Sequence, residues 1–314
     1  MFRRRKAEPE PPGFRGLWAA AVTPHRRERH EADHAAMLEL VDRLAKSGVD
    51  GIVLLGATGE FINIKLEDRQ RLLHLAIKRS RVPIIAGVSH STLDGAITLA
   101  EAAIDSGAVG LLLMPPYFYR YTPDDIGEFY RLFAIAIGGA LPTLLYNIPA
   151  FTNAIPIELA RELLTSGDFA GIKDSSGDPA YLNALLAIEA PHPLSILCGH
   201  DRLLPHALRA GVSGAVSGVA CAVPELMLAL FHATRSNDAT TAGQLESEVN
   251  SFIDWIDRFP VPVGISAACE ARGDTVGPPA IPLNAEQFDS LEEFKAWFTS
   301  WLPFVLNLHA RSLT

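Results

Sequence analysis

The chain has 314 residues, of which 48% are hydrophobic and 20% charged, with a formal net charge of -9. That length suffices to bury a large core, and the acidic balance excludes the basic footprint of a nucleic-acid partner. No run reaches the length and apolarity of a membrane span, so no membrane partner is expected. The three cysteines, Cys198, Cys221 and Cys269, match neither a metal spacing nor a disulfide framework. They point to a reducing, cytoplasmic setting. Residues 1–13 are rich in Arg, Glu and Pro and lack an apolar signal-peptide region, so a flexible tail is expected there.

From residue 14 onward short apolar runs alternate with amphipathic stretches. Leu17–Val22 reads as a strand closed by Thr23-Pro24, because proline cannot extend a ladder. A helix follows over Ala32–Ser47. Gly51–Leu55 is the next strand and Leu66–Ser80 the next helix. Val82–Val88 and Thr92–Ser106 repeat the unit, as do Ala108–Met114 and Pro123–Ile137, the latter with proline in its first turn. Then come Leu141–Tyr146 with Ile157–Thr165, and Ala170–Lys173 with Pro179–Ile188. Leu194–Cys198 with Arg202–Ala210 leads to an eighth strand at Gly214–Ser217. The strands are near-continuously apolar, as expected of a parallel sheet covered on both faces. Eight such units predict a (β/α)₈ TIM barrel over 14–222, and an open doubly wound sheet is the alternative. The remainder, 223–314, is predicted as a helical extension packed on the barrel. Its helices are placed at Pro224–Ala233, Ala242–Arg258, Leu291–Thr299 and Trp301–His309, with a break over Gly273–Pro282.

Barrel sites lie at the C-terminal strand ends, and several strands end in chemistry-bearing residues. Lys173 closes the sixth strand in Gly171-Ile172-Lys173-Asp174-Ser175-Ser176-Gly177-Asp178. Burial of an amine disfavours its ammonium form, and a neutral amine attacks a ketone to form an imine. The structural alternative is an ion pair with Asp174 or Asp178. Tyr146 closes the fifth strand, where a phenol can move a proton or be a core tyrosine with its hydroxyl tied down. Gly56-Ala57-Thr58-Gly59-Glu60 follows the second strand. Its amides and the Thr58 hydroxyl can hold a small carboxylate, or the glycines can serve the turn alone. His200 either faces the pocket or caps its loop. His25, His30, His34, His200 and His206 form no metal-ligand spacing. With no dinucleotide or phosphate loop either, no cofactor and no metal are expected.

The combination of Gly56–Glu60 (GATGE), Pro115–Phe118 (PPYF), Tyr146–Pro149 (YNIP) and Gly171–Asp178 (GIKDSSGD) resembles the dihydrodipicolinate synthase / N-acetylneuraminate lyase family from Gly16 to about Leu306. The resemblance implies that Lys173 binds a 2-oxo acid, usually pyruvate, as an imine. It implies that Tyr146 is the acid/base and that Thr58 and its neighbours hold the carboxylate. It also implies that the Val216 backbone lines the pocket and that the chain forms a homotetramer, a dimer of dimers. Three positions depart from the synthase pattern. Phe151 stands where an arginine holds the second substrate's carboxylate, and a phenyl ring cannot replace a bidentate donor. Phe118 replaces a tyrosine that reaches across the dimer, and Ala57 replaces a hydroxyl residue of the proton relay. Tyr117 and Tyr119 are the candidates to compensate.

These residues predict a lyase that cleaves or condenses a 2-oxo acid, pyruvate plus an aldehyde, through a lysine Schiff base. Phe151 and the GIKDSSGD and YNIPAFT strings place it nearer the 2-keto-3-deoxy sugar acid aldolases. The alternatives are a sugar-acid dehydratase using the same imine, dihydrodipicolinate synthase itself, and a non-catalytic oxo-acid binding protein.

Overall fold

The computed structural model describes residues 13–27 and 31–312. The expected tail over 1–13 falls almost entirely outside the described residues, as does His30. Eight parallel strands close into one barrel in sequence order. They are β1 (Gly16–Ala20), β2 (Gly51–Leu54), β3 (Ile84–Gly87), β4 (Gly110–Leu113), β5 (Thr143–Asn147), β6 (Gly171–Asp174), β7 (Ser195–Cys198) and β8 (Gly214–Ser217). Closure is made by β1 on β8, with Gly16 opposite Gly214 and Ala19 opposite Ser217. Closure leaves no edge strand, which rules out the open sheet. Nearly every strand residue is buried, because the barrel interior takes one face and the helices cover the other. Close fit is enforced locally: a Cβ on Gly51 would come within 2.2 Å of the Trp18 ring on the paired strand.

The surrounding helices are α1 (His34–Lys46), α2 (Leu66–Arg79), α3 (Leu93–Ser106), α4 (Pro123–Ile137), α5 (Ile157–Thr165), α6 (Pro179–Leu186) and α7 (Leu204–Ala210). Their ends follow the sequence chemistry. Asp33 caps α1 through the amides of Ala35 and Ala36. Thr122 and Asp125 form a reciprocal capping box at α4, with Pro123 in the first turn.

After β8 come α8 (Val219–Ala222), α9 (Pro224–Arg235), α10 (Ala239–Ile256), α11 (Val263–Ala271) and α12 (Ala285–Ser312). α9 packs on α7 and β1 and also on α10 and α12, so ring and extension are continuous. Two expectations need correction. α11 is a helix that periodicity does not reveal, because Val263, Gly264, Ile265, Ala267, Ala268 and Cys269 are all buried and leave little polar face. The two final helices are one, with Pro303 inside it. A stacked aromatic block holds α12 to α10: Trp297 lies 4.8 Å from Trp301, and Phe294 and Phe298 flank Phe252 at 6.0 and 5.8 Å. Such contacts stabilise by about 0.5–1.5 kcal/mol per pair beyond area burial. Among the described residues no helix is long and apolar enough to cross a membrane.

Candidate active site

β5 and β6 place Tyr146 directly opposite Lys173. Both side chains are buried, Tyr146 at 2% exposure and Lys173 at 4%. The Lys173 Nζ stands over the face of the Tyr146 ring, 4.1 Å from its centroid, where the ring's negative face attracts a cation. The ion-pair alternative for Lys173 fails. Asp174 accepts from Asn147 Nδ2 at 2.8 Å and from Ser176 Oγ at 2.8 Å. Burial pushes the Asp174 carboxyl up, and the bonds from Asn147 and Ser176 pull it partly back. Asp178 is used at α6, accepting from the Ala180 amide at 2.8 Å. Among the described residues no ion pair involves Lys173.

Asn147, opposite Asp174, braces the C-terminal ends of β5 and β6. Its amide donates to Asp174 and its Oδ1 accepts from the Ile155 amide at 3.0 Å. The loop after β7 closes from the other side. A Cβ on Gly199 would come within 2.7 Å of Lys173 Cε and 2.1 Å of Ser175 Oγ. Only a residue without a side chain leaves the lysine its channel there. His200 covers Gly177 and keeps a buried Nδ1 with no described partner. Asp201 accepts from the Val219 amide at 3.2 Å, tying this loop to the start of α8. Burial pushes its carboxyl up, against the pull of Ser217 and Val219.

Thr58 lies on the opposite arc of the barrel mouth, between β2 and β8. A Cβ on Gly218, the residue after β8, would sit 3.2 Å from Thr58 Oγ1. Val216 is buried two residues earlier, paired with Trp18. The strand order therefore sets an amine and a hydroxyl-bearing loop across the mouth from each other.

A cavity of about 240 Å³ opens beside this mouth and gathers Ala57, Tyr117 and Phe151 with Phe61, Met114 and Val261. Lys173, Tyr146, Thr58 and Val216 do not line it. Tyr117 packs edge-on against Phe61 with centroids 5.6 Å apart. Burial raises its phenol, although Ser91 hydrogen-bonds it and Arg69 lies near. Phe118 is not part of the cavity. It stands 86% exposed with φ +84°, its ring edge-on to Tyr119. A phenylalanine held in that backbone region is strained, which the sequence alone did not signal. Arg69 was also missed. It is buried, donates to the Ser89 carbonyl at 2.6 Å, and burial lowers it to about 10. Among the described residues it has no carboxylate partner. Its place on a helix face gives no sequence cue.

A closed parallel barrel with a buried lysine at the C-terminal end of a strand, unpaired among the described residues, suits the class of enzymes that work through a lysine Schiff base. The comparisons with known proteins agree. Residues 13–298 match the Dihydrodipicolinate synthetase family. The 4-hydroxy-tetrahydrodipicolinate synthase of Methanoculleus marisnigri is 30% identical over 289 residues, covering 90% of this chain and 96% of that protein. The synthase of Salinibacter ruber is 33% identical over 269 residues, covering 83% and 86%. Among solved structures, a prophage protein of the dihydrodipicolinic acid synthase family from E. coli K12, in complex with pyruvate, superposes with TM-score 0.82. It is 27% identical and covers 93% of this chain and 98% of that one. The chain belongs to the dihydrodipicolinate synthetase family. It is a class I, pyruvate-dependent lyase of the aldolase type, whose chemistry runs through a lysine Schiff base.

Proposed function

We propose that Lys173 carries the Schiff base and joins pyruvate reversibly to an aldehyde. The observation that carries this is the buried Lys173 side chain, unpaired among the described residues and 4.1 Å from the Tyr146 ring centroid. The amine adds to the ketone carbon of pyruvate, and loss of water gives a protonated imine. Removal of a methyl proton yields the enamine, which attacks the aldehyde carbon. Water then releases the product and restores the amine. Tyr146 moves the proton at the developing alkoxide. Thr58 and the amides of its loop hold the carboxylate across the mouth, with Val216 as the backbone wall. The E. coli K12 relative solved with pyruvate supports that choice of donor.

The relatives favour one acceptor. The two curated proteins above are named as 4-hydroxy-tetrahydrodipicolinate synthases. Hydrolysis of that product's ring imine together with retro-aldol disconnection leaves pyruvate and aspartate semialdehyde. The synthase reaction is therefore the reading with most support from the comparisons, ahead of the sugar-acid cleavage favoured by the sequence motifs. Phe151 supports the second reading. It stands 55% exposed on the cavity wall and supplies no donor for an acceptor carboxylate.

Borohydride trapping with pyruvate, read by intact mass and peptide mapping, tests the imine. An adduct on Lys173 is expected, and its absence from folded protein would remove the mechanism. Coupled assays with aspartate semialdehyde and with neutral aldehydes then decide the acceptor. Turnover of the semialdehyde alone supports the synthase, and turnover only of neutral acceptors supports the Phe151 reading.

A homotetramer is part of the same proposal. Ile62, Phe151 and Val261 are exposed around one cavity, and the Phe118–Tyr119 pair is exposed beyond them. Exposed apolar side chains of this size favour association.

A further inference from the structure

A second and larger cavity, of about 440 Å³, lies between the segment after β1, helix α11 and the start of α12. None of Lys173, Tyr146 and Thr58 lines it. Its walls are apolar, formed by Val263, Val276, Leu283, Phe288 and Leu291 among others. Its floor is polar. His25 is 3% exposed, and neither of its ring nitrogens has a hydrogen-bond partner among the described residues. Glu60 Oε2 lies 3.6 Å from His25 Nε2, beyond hydrogen-bonding reach. Buried polar atoms are satisfied in the great majority of cases. A buried imidazole that makes no hydrogen bond among the described residues and lies with Glu60 on a cavity of small-molecule size marks a site for a ligand that supplies the missing bonds.

The charges select the ligand. Glu60, which also lines the smaller cavity, brings a carboxylate that only accepts hydrogen bonds. It repels an anionic head and suits a donor-rich cationic one. At the rim, Lys295 is already matched by Glu270 at 3.1 Å and by Glu292 at 3.2 Å. Arg27 lies 4.0 Å from Glu270 and is 85% exposed, so solvent and salt screen it. The rim thus holds no unmatched buried cation for an anion.

We propose that this cavity is a second ligand site, which binds a small primary amine with an apolar body, its ammonium donating to Glu60 and His25. The site touches the catalytic loop by two routes. Glu60 is the last residue of the Gly56–Glu60 turn, and Thr23 at the cavity floor donates to the Gly59 carbonyl at 2.7 Å.

Calorimetric titration of the full chain, without pyruvate, tests this with three probes of one shape: benzylamine, benzyl alcohol and phenylacetate. Benzylamine should bind saturably, on the order of tenfold or more tighter than the other two, as a charge-assisted bond to a carboxylate requires. Glu60→Gln should remove that preference. Ala267→Leu, which fills the cavity from α11 and leaves the turn intact, should weaken all three. Lys173→Ala should bind benzylamine as the unaltered chain does. Failure of benzylamine to saturate, equal affinity for the three probes, or loss of binding in Lys173→Ala with retention in Ala267→Leu would each overturn the proposal. None of these outcomes depends on whether Lys173 forms an imine.

Discussion

The β5–β6 arc and the aromatic block between α10 and α12 are both deeply buried, yet they use burial for opposite ends. In the aromatic block every large side chain meets another: Phe252, Trp255, Phe294, Trp297, Phe298 and Trp301 stack or tilt within 4.8–6.0 Å. In the β5–β6 arc, burial isolates one amine. The neighbouring carboxylates are engaged elsewhere, and a glycine keeps the channel open. Satisfied contacts mark a region selected for stability. A buried polar group left without a partner marks one where stability yields to reactivity.

That contrast is sharpest if each region is struck in turn. Lys173→Ala should lower turnover by roughly 10⁴-fold or more, as expected when a covalent nucleophile is removed. Its urea midpoint should stay close to that of the parent chain, measured beside steady-state rates. Substantial turnover in this variant would break the mechanism. Phe294→Ala should do the reverse. It removes a fully buried ring from the stack and should cost about 3–5 kcal/mol of stability in denaturant titrations. Turnover per folded molecule should change little. A large kinetic loss with unchanged stability would mean that the two regions are coupled.

The smallest effect concerns a pair outside both regions, where Arg272 on the edge of α11 grips Glu225 of α9 in a bidentate pair at 2.7 and 2.8 Å. Burial alone would push the Glu225 carboxyl up, but Arg272 holds it below its ordinary value. A depressed carboxylate contributes stability that is present above its unfolded pKa and lost as pH falls through the folded one. Arg272→Ala should therefore cost about 1–3 kcal/mol at neutral pH. The gap to the parent chain should narrow in acid below the ordinary carboxylate range. Thermal melts across that range would check it, and a pH-independent gap would assign the loss to packing instead.

The two regions also differ in how far they could be read from the chain alone. Lys173 and Tyr146 were legible because strand ends in a parallel barrel share one face, so two motifs at the ends of adjacent strands must meet. β8, α4 and α5 match their sequence boundaries residue for residue, since alternation of apolar runs with capped amphipathic stretches is a local property. α11 was illegible because a short helix buried nearly all round has no contrasting face. The Cys221–Cys269 approach, with Sγ atoms 3.9 Å apart and Arg43 beside them, was equally hidden. It joins segments that no spacing rule connects. Phe151 was readable as a substitution, but its place on a cavity shared with Ala57 and Tyr117 was not.

Sequence by itself determined the eight-unit barrel and the imine-forming class, and it put Lys173 at the end of the sixth strand, because periodicity, caps and strand-end motifs act over a few residues. Tertiary structure alone decided which carboxylates are occupied and which are free. Asp174 and Asp178 precede and follow the same loop, yet the fold engages both in hydrogen bonds and leaves Lys173 without an ion pair among the described residues. It leaves His25 and Glu60 facing a cavity whose far wall comes from α11 and α12. Partnership in a folded interior depends on through-space distances of a few ångströms, and these are set by packing between elements far apart in the chain.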